Sequence, residues 1–144
     1  VSGFRFNVSS CRRIVRISFS VSKSTLLITT TSGFKGYLFF TDLKFIAFKN
    51  LSVDTRFVMF NTDSYDSRVY EYENDISGLF SNVALYGKGT RWYLLIKYKP
   101  LNYIEISGKY AETYFDGVKE IGSGNDRIQG NINNRLNLSL ELTL

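Results

Sequence analysis

Hydrophobic and polar residues alternate with a period of two along most of this chain. The end of the chain is the cleanest case: Leu136, Leu138, Leu140, Leu142 and Leu144 alternate with Asn137, Ser139, Glu141 and Thr143. A helix would scatter those leucines around its circumference, whereas a strand places them all on one face. The same rule holds for Phe4, Phe6 and Val8, for Val15, Ile17, Phe19 and Val21, and for Leu51, Val53, Phe57 and Met59. It holds again for Trp92, Leu94, Ile96 and Tyr98, and for Ile104, Ile106 and Tyr110. Between Tyr37 and Phe48 it is blurred, because Leu38, Phe40 and Ile46 share a face with Asp42 and Lys44. The pattern predicts about eight strands, near 3–9, 12–21, 25–33, 36–48, 51–61, 89–99, 102–114 and 133–144. Many are longer than the usual soluble strand of about five or six residues and suit a membrane-crossing strand of about 9–11.

The connections add an asymmetry. Short polar turns are expected at Ser22-Lys23-Ser24, Lys49-Asn50 and Lys99-Pro100, all at one end of an up-and-down meander. Longer connections, 62–88 and 115–132, fall at the opposite end. Short turns on one side and longer loops on the other are the habit of outer-membrane barrels. The expected fold is therefore all-β, an antiparallel up-and-down transmembrane β-barrel forming one domain over 1–144. It either closes on itself or forms part of a larger barrel.

Charge placement fits. Arg5, Arg16, Asp54, Arg56, Lys97, Glu105, Lys109 and Glu141 fall on the polar faces of their strands, which in a barrel line the lumen. A Lys or Arg facing lipid at mid-depth would cost about 2–4 kcal/mol. Aromatic residues make up 16% of the chain and gather near strand ends, where Trp92, Tyr93, Tyr98, Tyr103 and Tyr114 suit interfacial belts. A soluble β-barrel or sandwich binding a small apolar ligand or a glycan would alternate in the same way. It is the alternative carried forward.

Composition narrows the chemistry. There is no His, so a Ser-His-Asp triad and His-based metal sites are excluded within the chain, and the single Cys11 can form no internal disulfide. The net charge of +5 comes from Lys and Arg scattered singly, with no run beyond Arg12-Arg13, so nucleic acid is not an expected partner. No stretch of 18 apolar residues occurs, and the start at Val1 reads as a processed product or a fragment. Segment 61–75 concentrates Asp63, Asp66, Glu71, Glu73 and Asp75, which are the candidate calcium ligands. A solvated acidic loop, or one pairing with Arg68, is the alternative. Gly87-Lys88-Gly89-Thr90 lacks the full phosphate-loop spacing, and Gly122-Ser123-Gly124 lacks the setting of a nucleophile elbow. Neither a cofactor nor an enzymatic activity is expected.

The run from Phe60 to Asp75 resembles a block in large outer-membrane proteins of the Bacteroidota, many of them known as helix-hairpin-helix proteins for an amino-terminal domain. Leu85–Tyr93, Ile121–Gly124 and Ile128–Asn131 are similar to later blocks of the same proteins in the same order, so the resemblance spans about 33–144. It implies that this chain is the C-terminal portion of a larger barrel in the cell outer membrane. The implied partners are the lipid bilayer and other envelope proteins. No helix-hairpin-helix segment is present, so no DNA link carries over. The closing Leu144 departs from the aromatic residue common at the end of outer-membrane barrels.

Overall fold

The computed structural model describes residues 4–6, 17–31, 34–47, 50–122 and 124–143, with those before Gly36 described by their backbone alone. The chain is all-β and antiparallel. Among the described residues eleven strands follow one another: β1 (Phe4–Phe6), β2 (Ile17–Thr31), β3 (Phe34–Ala47), β4 (Leu51–Thr62), β5 (Val69–Glu73), β6 (Ser81–Leu85), β7 (Lys88–Leu101), β8 (Ile104–Phe115), β9 (Glu120–Ile121), β10 (Ile128–Gln129) and β11 (Ile132–Leu142). Seven of them form one sheet in the order β1-β2-β3-β4-β7-β8-β11, while β5-β6 and β9-β10 are separate two-stranded pairs.

Within the described residues the expected strands reappear with one correction, and β5, β6, β9 and β10 are added in what reads as the connections 62–88 and 115–132. The alternation predicts two strands, 12–21 and 25–33, joined by a turn at Ser22-Lys23-Ser24. Instead β2 runs unbroken through those residues, with a bulge between Val21 and Lys23. The bulge inserts one residue, so register parity flips: Phe19 lies opposite Phe45, but Leu26 lies opposite Phe39. A flip of apolar positions from odd to even looks in sequence like a turn between two strands. Arg16 and the adjoining parts of the first two expected strands lie outside the described residues.

The correction changes the count. Every neighbouring pair in the sheet is antiparallel, so its first and seventh strands, β1 and β11, run the same way. They are the two edges, and among the described residues they are not paired with each other. Residues 63–87 and 116–131 join strands at one end of the sheet, here called the loop end. At the other end β7 meets β8 through Asn102-Tyr103, and the Lys99 N–H donates to the Asn50 carbonyl at 2.8 Å across the adjacent turn.

The 62–88 connection is not a plain loop. Its β5-β6 hairpin lies on one face of the sheet, hereafter the inner face. At the hairpin base, Val69 and Leu85 are buried against Leu38, Phe40, Val58, Phe60, Phe115 and Ile121. Nearer the tip, Ile76 is buried with Tyr93, Leu95 and Ala111. Each large apolar side chain so buried contributes about 1.5–3 kcal/mol. Where β7 meets β8 at the loop end the backbones nearly touch: a Cβ on Gly89 would stand 2.1 Å from the Tyr114 carbonyl oxygen and 2.8 Å from the Phe60 ring. Gly89→Ala should therefore cost about 1–3 kcal/mol, with the amide protection of Lys88–Thr90 lost first in hydrogen exchange. Unchanged protection there would contradict this packing.

Candidate functional site

The site is the contact between the acidic hairpin and the charged inner face. Register places Asp54, Arg56, Arg91, Tyr93, Leu95, Lys97, Ser107 and Lys109 on that face, across β4, β7 and β8. Opposite residues of antiparallel neighbours share a face, so β11 adds Asn137, Ser139 and Glu141. The alternation Val69-Tyr70-Glu71-Tyr72-Glu73 turns Val69, Glu71 and Glu73 toward the sheet and leaves Tyr70 and Tyr72 exposed.

Three cations receive these carboxylates. Arg56 pairs with Asp42 of the neighbouring strand through Nε and through Nη2 at 2.7 Å; its Nη1 meets Glu71 and donates to the Tyr72 carbonyl at 2.7 Å. Arg91 grips Glu73 with two hydrogen bonds, of 2.6 and 3.0 Å, while its Nη1 donates to Thr113 Oγ1 at 2.6 Å. The Lys109 ammonium stands 3.0 Å from Glu73 and 3.1 Å from Asp75, and 4.7 Å above the ring of Tyr93. The Glu73 carboxylate is fully buried, and the Lys109 side chain is 3% exposed. Ser81 donates to Asp75, which also accepts the Ile76 N–H at 2.8 Å.

Burial opposes the charge of Glu73, but the hydrogen bonds and charges of Arg91 and Lys109 outweigh it and hold its carboxyl below the usual glutamate range. Asp75 is also lowered: burial opposes its charge, and Ser81, the Ile76 N–H and Lys109 outweigh that. A lowered folded-state value stabilises the fold above the unfolded value and is lost as pH falls through the folded one. The hairpin contact should therefore weaken from the ordinary glutamate value of 4.5 downward. Amide exchange of residues 71–81, corrected for intrinsic rates, should rise between about pH 6 and about pH 3 while that of the β7-β8 pairing holds. A hairpin equally protected at both pH values would contradict the assignment.

The expected site residues divide accordingly. Asp54, Arg56 and Lys109 are buried on the inner face, and Lys97 and Glu105 are half-buried there. Glu141 is on the same face of the exposed edge strand, and Arg5 is described by its backbone alone. Of the expected interfacial aromatics, Trp92, Tyr98 and Tyr114 are exposed on the opposite, outer face, and Tyr103 is exposed in its turn. Tyr93 is a correction: it is 1% exposed and sits on the inner face between Arg56 and Lys109. Its parity, opposite to that of Trp92, carried that information.

Of the candidate calcium ligands, Glu73 and Asp75 are brought together, on the Lys109 ammonium. Among the described residues no group of three or more His, Cys, Asp or Glu side chains could hold a metal ion. Glu71, Glu73 and Asp75 are engaged by Arg56, Arg91 and Lys109, and Asp63 and Asp66 are exposed. Arg68, the partner offered for this loop, bonds the Tyr70 hydroxyl at 2.7 Å, lies over the ring of Tyr65 and is attracted by Asp66. Pattern reading missed Arg91 and Thr113 as members of the site. The available signal was a matching charge surplus: carboxylates crowd 71–75 while cations recur on one face of the neighbouring strands.

The outer face is the converse. From Tyr37 onward its positions in the seven-stranded sheet include Phe39, Leu43, Phe45, Phe57, Met59, Leu94, Ile96, Ile106, Leu138 and Leu140. Its charged members are Lys88 and Glu112, both toward the loop end; Glu112 accepts from the Trp92 indole at 3.4 Å and the Tyr110 hydroxyl at 2.8 Å. Leu138 is 75% exposed. No helix of the described residues is long and apolar enough to cross a membrane, which says nothing about crossing by strands. No family model, no curated protein and no solved structure matches this chain.

Proposed function

We propose that this chain is a sector of an outer-membrane β-barrel, non-enzymatic, serving transport, secretion or the architecture of an envelope complex. The observation that carries the reading is the two-sidedness of the sheet. Its inner face is charged and partly covered by its own hairpin, while its outer face is largely apolar and uncovered. Soluble monomers rarely leave apolar patches beyond a few hundred Å² exposed. Strand lengths agree: β3 has 14 residues, β4 12, β7 14, β8 12 and β11 11.

Two features favour a barrel larger than these strands alone would form. Seven strands place β1 and β11 parallel, so an all-antiparallel closure needs an odd number of further strands. The hairpin also needs space. An eight-stranded barrel has room for side chains or one small ligand, and a second β layer adds about 10 Å.

Detergent extraction tests the reading. The protein should partition with detergent and migrate differently on a gel before and after boiling; full solubility without detergent would overturn it. One observation favours the soluble alternative: an outer-face groove of about 590 Å³ lined by Tyr37, Phe39, Met59 and Tyr114 could hold a small apolar ligand. The same extraction decides between them.

A further inference from the structure

Arg91 and Lys109 hold the Glu73 carboxylate as a bound anion would be held. A guanidinium fork takes both oxygens, and an ammonium adds a point charge from the side. Both cations are supported from behind by residues of the sheet itself. Thr113 takes the third donor of Arg91, and the Tyr93 ring lies under Lys109. None of these supports belongs to the hairpin, although Asp75, the second carboxylate at Lys109, does. Arg56 differs, because Asp42 of the sheet already supplies it with a carboxylate.

The hairpin is attached unevenly. Its base is clamped by the apolar cluster around Val69 and Leu85, and by the Thr62 N–H on the Gly87 carbonyl and the Gly87 N–H on Thr62 Oγ1, both at 2.8 Å. Its outer half is held by Glu73, Asp75 and Ile76, and turns at Gly78 with φ of +79°. Buried ion pairs give little net stability over an apolar contact of the same shape. What they allow, and an apolar contact does not, is exchange with an anion from solution.

We propose that Arg91 and Lys109 form a binding site for a small anion carrying a carboxylate or phosphate group, with Glu73 as its built-in, displaceable occupant. The site lies on the inner face and does not depend on what the outer face meets.

The test uses the full chain with inorganic pyrophosphate as probe. In Glu73→Gln the site loses the carboxylate that Arg91 and Lys109 share, and only Asp75 remains, at Lys109. Pyrophosphate should then raise that variant's unfolding temperature and bind it tighter than wild type by a factor of about 5–150. Adding Arg91→Gln should abolish the gain. A folded Glu73→Gln protein that binds pyrophosphate no better than wild type overturns the proposal. If that variant does not fold, wild type decides. Pyrophosphate should speed amide exchange at residues 73–81 and leave Val69 and Leu85 unchanged; no acceleration overturns the proposal.

Discussion

Replacing Glu73 by alanine is expected to lower the stability of the folded chain by about 3–5 kcal/mol, read from denaturant unfolding. The size follows from what remains rather than from what is removed. Arg91 and Lys109 are 12% and 3% exposed, and Glu73 is the carboxylate that both share. Without it Arg91 keeps only the Thr113 hydroxyl and Lys109 keeps Asp75 and the Tyr93 ring. A buried charge stripped of its partner bears its desolvation cost uncompensated. Glu141→Ala, on the exposed edge strand, should change stability by no more than about 0.5 kcal/mol. Replacing Glu73 and Arg91 together by leucine and methionine should recover much of the loss, because the pair as a whole has little net worth. A loss below about 1 kcal/mol for Glu73→Ala would mean that the hairpin does not occupy the inner face.

The second large effect is on the outer face. Ile96 lies near the middle of β7, opposite Val53 on one side and Gly108 on the other, and it is 41% exposed. Ile96→Lys should cost about 2–4 kcal/mol when the protein is folded in a bilayer, where the ammonium must leave water. For a chain whose outer face meets water, the same change should lie within about 0.5 kcal/mol. Reversible folding into vesicles, compared between the variant and wild type, gives the difference directly.

Much of the sheet was legible from alternation, because a strand with one covered face writes its parity into the sequence. The alternation around Leu136–Leu144 announces β11 and that of Leu51–Met59 announces β4: the expected strands 133–144 and 51–61 meet Ile132–Leu142 and Leu51–Thr62 within a residue or two at each end. Parity failed at Ser22, where a single inserted residue looks like a turn. That one miscount made eight strands of seven and hid the parallel edges. The hairpin was hidden for a different reason. β5 and β6 have five residues each, and their apolar partners lie far away in sequence, so local pattern says little about where they dock. By sequence alone the acidic residues read as solvent-facing or metal-binding, because carboxylates rarely sit buried without a cation. The cations, Arg91 and Lys109, lie 18 and 34 residues away from their partners in the chain.

Trp92 offers the most direct test of the membrane assignment. It is the single tryptophan, and it sits on the outer face beside Tyr110. Folded in vesicles whose acyl chains carry bromine, the protein should show strongly quenched tryptophan fluorescence, while iodide added to the water should quench weakly. Strong quenching by iodide with none from the brominated chains would place the outer face in water and contradict the barrel.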